Sequence, residues 1–158
     1  MFIPFKTTLS KSEFTNCEFI NCNFETPFVS HTSFKEVTFQ ECTILGLQFE
    51  YCNDFLFEVS FESCTLQVCS FFKMNLKNSK FKDSKIIDVD FSNATLSGVK
   101  FENCDLSKSI FDATNLEKTD FSSAFHFSID PENNKLSKTK FSNENLSGLL
   151  NKYNLDII

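Results

Sequence analysis

The sequence predicts an all-β fold, a quadrilateral parallel β-helix that ends in a short C-terminal α-helix. Three observations carry the prediction. From position 61 to position 121 a large apolar residue returns at every fifth place. A small residue stands two places before almost every one of them, and Phe alternates strictly with Leu or Ile, a period of ten. Internal repetition of this kind identifies a solenoid before any single element is assigned.

The large set is Phe61, Leu66, Phe71, Leu76, Phe81, Ile86, Phe91, Leu96, Phe101, Leu106, Phe111, Leu116 and Phe121, the expected structural core. Two places before them stand residues such as Val59, Cys64, Cys69, Ser79, Ala94 and Thr114, with Met74 the one large exception. A period of five fits neither a helix nor a straight strand. In extended chain the small residue and the large one that follows it face the same side, whereas the next small residue, three places on, would face the other. A four-residue turn across that interval returns it to the inside, so the chain bends once per five residues. The alternation then sets the number of sides. Three sides would mix Phe with Leu in each stack, whereas four give unmixed columns: Phe61-Phe81-Phe101-Phe121 and Phe71-Phe91-Phe111, beside Leu66-Ile86-Leu106 and Leu76-Leu96-Leu116. Successive coils should stack as parallel strands about 4.8 Å apart.

Upstream, Leu9, Phe14, Phe19, Phe24, Val29, Phe34, Phe39, Ile44 and Phe49 obey the same rule in another frame. The step from Phe49 to Phe61 is twelve residues, so the frame slips within 51–58. Downstream, the repeat fades after Phe121, breaks at the turn-rich segment 128–134 and resumes at Leu136 and Phe141. A helix is expected next: Ser142 or Asn143 can cap it, and Leu146, Leu149, Leu150 and Tyr153 recur at helical spacing, although Gly148 weakens it. The chain thus divides into a repeat over 1–127 and, over 128–158, a turn, a last partial coil and the helix.

Units such as 94–98 (Ala-Thr-Leu-Ser-Gly), 104–108 (Cys-Asp-Leu-Ser-Lys), 114–118 (Thr-Asn-Leu-Glu-Lys) and 119–123 (Thr-Asp-Phe-Ser-Ser) resemble the pentapeptide-repeat family. Its consensus is a small residue, Asp or Asn, Leu or Phe, and two variable residues. The resemblance runs over residues 9–126 and implies a right-handed coil, a hand that spacing alone does not set. An interruption followed by an apolar terminal helix is similar to the quinolone-resistance and microcin-immunity members. That implies a homodimer through the C-terminal module, here Leu146, Leu149, Leu150, Tyr153 and Ile157. A monomer whose helix covers the last coil is the other reading, since an open solenoid end needs a cap in either case.

No pattern points to an enzyme. His31 and His126 are the only histidines and neither has an evident partner, so no nucleophile stands beside a base. Cys17, Cys22, Cys42, Cys64, Cys69 and Cys104 occupy the small inward position, where Cys acts as a compact hydrophobe. No Cys-x-x-Cys occurs, and neither metal nor cofactor is expected. Cys22 and Cys42 should stack one coil apart, with reduced thiols as the expectation. Residues 1–11 lack the basic-then-apolar pattern of a leader, and no apolar run approaches the ~18 residues of a membrane span. The expected location is the cytoplasm, away from membranes.

Charge supplies the remaining clue. All 15 basic residues are Lys, and 21 acids leave a net charge of -6, which excludes a basic footprint for direct nucleic-acid binding. Glu13, Glu18, Glu25, Glu36, Glu41, Glu50, Asp54, Glu58 and Glu62 face only Lys6, Lys11 and Lys35 within residues 1–62, so this half holds the whole net charge. Over about three coils, that is about one negative charge per 2.5 Å, against about one per 1.7 Å in duplex DNA. These nine acids are the candidate partner-binding surface. The leading expectation is a non-enzymatic solenoid that binds a protein partner, or serves structurally, through its outer faces. The family resemblance implies an alternative: a DNA mimic that binds DNA gyrase or topoisomerase IV, a type II topoisomerase, and protects it from quinolones or a peptide toxin.

Overall fold

The computed structural model describes residues 2–3 and 8–158, with side chains from residue 8 onward; residues 1 and 4–7, Lys6 and part of the segment read for a leader among them, lie outside the described residues. The chain is a right-handed quadrilateral parallel β-helix closed by a short helix.

Its geometry starts at the turn. The third residue of nearly every turn has a positive φ, for example Asn21 at 53°, Glu41 at 53°, Asp83 at 49° and Asn103 at 50°. At many turns the fourth residue's N–H donates to the carbonyl of the first, as from Ala94 to Phe91 at 3.1 Å and from Val99 to Leu96 at 3.0 Å. A positive φ in third place is the signature of a type II turn, for which glycine is the default residue. Only Gly46 and Gly98 serve this way; Asn and Asp tolerate the conformation, but here Lys, Glu, Thr26 and Val68 adopt it as well.

Four walls follow. Wall one begins with the strands Glu13–Thr15 and Ser33–Lys35 and continues through bridges joining Asn75, Thr95, Asn115 and Lys135. Wall two holds Glu18–Ile20, Val37–Gln40, Val59–Glu62, Lys80–Lys82 and Phe101–Glu102. Wall three holds Phe2–Ile3, Asn23–Glu25, Thr43–Leu45, Thr65–Gln67 and Lys85–Ile87. Wall four is held by isolated bridges, Thr8 to Phe28 and then Gln48 through Ser70 and Asp90 to Ile110. All pairings are parallel and in register, so Phe61 lies beneath Phe81 and Phe81 beneath Phe101.

Register turns the repeat into ladders. Phe19, Phe39, Phe61, Phe81, Phe101, Phe121 and Phe141 stack with ring centroids 4.9 to 5.5 Å apart. Phe49, Phe71, Phe91 and Phe111 form a second stack, meeting the first edge-on, as where Phe91 and Phe101 cross at 79°. Both arrangements satisfy the ring quadrupole. The thirteen large residues from Phe61 to Phe121 are at most 5% exposed.

The small positions do more than leave space. The Thr114 hydroxyl donates to the Phe91 carbonyl at 2.9 Å, Thr119 to Leu96 at 2.8 Å, Ser109 to Ile86 at 2.7 Å and Thr32 to Leu9 at 2.8 Å. Each bond runs to the coil below and satisfies a buried polar side chain where a bare hydroxyl would be costly; at Phe91, Leu96 and Leu9 it adds a second donor to a turn carbonyl, whereas at Ile86 the Val89 N–H donates to the Ser109 hydroxyl instead. Thiols occupy the same place, Cys42 over Phe19 at 3.1 Å and Cys64 over Phe39 at 3.2 Å.

The frame slip has a simple cause. Cys52 keeps the small position, but Asp54 falls where a large residue belongs and stays outside with Phe55 and Leu56. Phe57, 5% exposed, comes back in to fill the slot edge-on to Phe34 at 6.4 Å and Phe49 at 6.0 Å. Consequently Val37 pairs with Val59, and the coil that crosses the slip is two residues longer than its neighbours.

At the far end the helix winds as 3₁₀, over Asn143–Leu149 and Asn151–Tyr153, rather than as the expected α-helix. The cap's own bonds require the tighter form. Asn145 accepts the Ser142 N–H at 3.0 Å and donates to the Phe121 and Ala124 carbonyls of the last coil at 3.0 and 2.9 Å. The Gly148 carbonyl accepts the Ile129 N–H at 2.9 Å, and Gly148 lies so close to Phe127 that a Cβ would sit 2.5 Å from its ring. Gly148, which weakened the helix in sequence, is the residue that lets it seat.

Candidate functional site

The nine acids do not form one surface. Glu18 and Glu62 lie on wall two, Glu36 and Glu58 on its edge with wall one, and Glu41 on its edge with wall three. Glu13 is on wall one, Asp54 in the slip loop, Glu25 on wall three and Glu50 on wall four. The densest grouping is therefore wall two with its edges, which carries five of the nine near the N-terminal end. Some are already paired: Lys35 lies 2.7 Å from Glu13 and Lys82 lies 3.1 Å from Glu62. The Lys35 hydrogen bond and charge hold the Glu13 carboxyl below the usual range. Higher on wall two the sign reverses, with Lys80 and Lys82 in one coil and Lys100 in the next.

Glu50 differs from the other eight. It is half-buried, and one of its oxygens, Oε2, is enclosed with no hydrogen-bond partner. Burial pushes its carboxyl above the usual carboxylate range, and the Asp90 carboxylate adds to the shift, against the opposing pull of its own backbone N–H and the Ser70 hydroxyl.

His126 gains a partner that spacing did not reveal. Its Nδ1 lies 3.0 Å from Asp105 Oδ1, while the Ser107 hydroxyl donates to the same oxygen at 2.6 Å. The imidazole and the hydroxyl thus meet on one carboxylate oxygen, and Ser107 Oγ also lies 3.3 Å from His126 Nδ1, in a cluster that is exposed at the imidazole. His31 occupies a left-handed turn position and is exposed.

The seven cysteines are free thiols. Burial pushes the Cys104 and Cys52 thiols up to about 12 and the Cys69 thiol up to about 11. In the ladder, the hydrogen bond with Cys42 and then burial raise Cys64, and the same bond lowers Cys42. Cys42 is 1% exposed, so no substrate can reach it. Among the described residues no group of three or more His, Cys, Asp or Glu is placed to hold a metal ion, and no helix is long and apolar enough to cross a membrane.

The terminal module divides its apolar residues. Leu149 packs against the core, whereas Leu146, Leu150, Tyr153 and Ile157 are 37 to 60% exposed. The repeat's inward donors, and the composition of wall four, are what the period-five reading did not find. The excess of Ser, Thr and Cys over Ala at the small positions was the available signal for the former.

The family profile described as pentapeptide repeat region matches residues 12–90 and 55–124. No curated protein sequence matches. Among solved structures, a trypsin-treated variant of QnrB1, a plasmid-mediated fluoroquinolone resistance protein, is 16% identical with a TM-score of 0.66, over 99% of this chain and 88% of that chain. Full-length QnrB1 is 14% identical with a TM-score of 0.65, over 94% of this chain and 73% of that chain. A pentapeptide repeat protein from the Arabidopsis thaliana thylakoid lumen is 17% identical with a TM-score of 0.32, over 78% and 67%. At these identities the likeness to QnrB1 shows a shared fold alone.

Proposed function

The chain belongs to the pentapeptide-repeat family, and from that premise we propose that it acts as a non-enzymatic solenoid, binding a protein partner or serving structurally through its outer walls. One observation carries this reading: the large and small positions are consumed by the interior, and the residues between them stand on straight walls with ladder spacing. A packed interior leaves no deep cleft for chemistry, so recognition falls to side chains presented at fixed intervals. Capture of partners from a lysate by the chain, compared with a variant carrying Glu18→Gln, Glu36→Gln, Glu41→Gln, Glu58→Gln and Glu62→Gln, tests the acidic end of wall two. Retention of every partner by the variant would reject that wall.

The alternative is a DNA mimic acting on DNA gyrase or topoisomerase IV. The shared fold with a fluoroquinolone resistance protein and the acidic N-terminal half support it. The spread of carboxylates over four walls favours the general reading, because a mimic of duplex DNA needs its charges along one track. A supercoiling assay decides: neither inhibition nor rescue from ciprofloxacin at micromolar protein would end the alternative.

A homodimer through Leu146, Leu150, Tyr153 and Ile157 fits the exposed side of the terminal module, while Leu149 caps the coil. Leu150→Asp should then shift the sedimentation profile from two chains to one. A cytoplasmic setting is supported by the seven unpaired thiols.

A further inference from the structure

Wall four is unlike the other three. Between positions 28 and 112 its outward places hold three large apolar residues, Phe28, Phe72 and Ile110, and three carboxylates, Glu50, Asp90 and Asp112, with no lysine among them. Lys73, on the turn beyond, lies over the Phe72 ring at 4.9 Å. Wall two, by contrast, alternates Lys82 with Glu62 and Glu102 in self-compensating columns.

Two depressions adjoin on this wall. The first, about 450 Å³, is lined by Thr26, Pro27, Phe28, Gly46, Gln48 and Tyr51 among others. Phe28 and Tyr51 are both 64% exposed, an unusual state for two aromatic rings that flank one hollow. The second holds Glu50, Asp88 and Asp90 around Ser70 and shares Gln48 with the first. Gln48 is fixed between them by its side-chain N–H bonds to the Gly46 carbonyl at 3.3 Å and the Val68 carbonyl at 3.4 Å. Glu50 carries an enclosed oxygen without a partner, facing a second carboxylate and no cation that stabilises it.

We propose that wall four is the docking face for a peptide segment of a partner protein that inserts an aromatic or leucine side chain between Phe28 and Tyr51 and sets a lysine or arginine against Glu50 and Asp90. The inference rests on the protein-binding reading above and names the chemistry of its partner. Charge complementarity selects this occupant: an apolar anchor alone would leave the enclosed Glu50 oxygen without a partner, and a cation alone would leave the rings in water. The spacing defines the segment further. The hollow is centred between the coils of Phe28 and Tyr51, and the carboxylate pair between those of Glu50 and Asp90. The centres are therefore about one and a half coil spacings, or about 7 Å, apart. An extended chain spans that distance with residues two apart, side chains on one face, so the recognised pattern is an aromatic residue, any residue, then a cation.

The chain has two tyrosines and no Trp, so in a Tyr153→Phe background the fluorescence of Tyr51 reports the hollow alone. Four peptides, blocked at both ends and titrated to millimolar concentration, make the test: Gly-Phe-Ser-Lys-Gly, Gly-Ala-Ser-Lys-Gly, Gly-Phe-Ser-Glu-Gly and Gly-Phe-Lys-Ser-Gly. The first should give a saturable change, the other three binding weaker by about tenfold or more. Glu50→Gln with Asp90→Asn should abolish the preference for Lys over Glu, and Phe28→Ser the preference for Phe over Ala. Equal binding of the Ala peptide, equal binding of the Glu peptide, or no binding of any would each overturn the proposal. So would a response seen only with Phe5→Ser, which would assign the hollow to the chain's own N-terminal segment. If the peptides fail while the wall-two variant still loses lysate partners, wall four falls and the binding solenoid stands. If the peptides bind and the wall-two variant loses nothing, wall two falls and the binding solenoid stands on wall four.

Discussion

Val68 is the residue whose replacement should stabilise this fold. It adopts φ 54° at the third place of its turn, is 47% exposed, and its branched Cβ has least tolerance of the left-handed region. An L-residue in that region costs about 1 to 2 kcal/mol, and Asn pays a smaller penalty because its short polar side chain bonds locally. Val68→Asn removes little buried area, so about 1 kcal/mol of net stabilisation is expected. The glycines provide the opposite arm. Gly98 has φ 79° with no atom within 4 Å of a built Cβ, so Gly98→Ala should cost about 1 kcal/mol through backbone conformation alone. Gly46 has φ 68°, and its Cβ would meet Thr26 Cγ2 at 2.6 Å, where Thr26 is itself held at φ 43° and cannot easily retreat. Gly46→Ala should therefore cost about 2 to 3 kcal/mol. Urea unfolding followed by circular dichroism would rank the midpoints as Val68→Asn, wild type, Gly98→Ala, Gly46→Ala at constant slope. A neutral Gly98→Ala, or a destabilising Val68→Asn, would refute the assignment of the bend to a left-handed third residue.

Phe91 is 0% exposed and sandwiched between Phe71 at 5.4 Å and Phe111 at 5.2 Å, so Phe91→Ala should cost about 3 to 5 kcal/mol in the same assay. Thr114→Val keeps the volume but removes the bond to Phe91; a loss of about 1 kcal/mol is expected, and no loss would mean the hydroxyl is only a filler. Glu50 has a folded pKa above its unfolded value, so its contribution to stability falls as pH rises through that window and its penalty is complete at neutral pH. Glu50→Gln should accordingly raise the melting temperature at pH 7 and have little effect at pH 4; the opposite order would exclude burial as the cause. Gly148→Ala would drive a methyl into Phe127, and faster amide exchange at Ile129 and Asn145 than in the central coils should report the lifted cap.

The interior could be read from sequence because one constraint repeats. Phe61, Phe81 and Phe101 meet in register only if each unit bends alike, so any break of the pattern would misplace every residue after it. The slip at 51–58 was visible for that reason, but its solution was not: Phe57 returns to the core across four exposed residues, a choice between Phe55 and Phe57 that depends on Phe34 one coil below and Phe49 on the preceding side. The terminal winding was hidden for the same reason, since Asn145 reaches carbonyls of residues more than twenty positions upstream. Recognition is harder still. The nine acids cluster in the first 62 residues yet spread over four walls and the slip loop, whereas Phe28, the pair Glu50 and Tyr51, and Asp90 are far apart in sequence and share one wall. Outward positions carry no packing constraint, so nothing in the period marks them. Only the register of the coils, applied column by column, sorts a charge that the solvent merely tolerates from one, like Glu50, that lacks a counterpart.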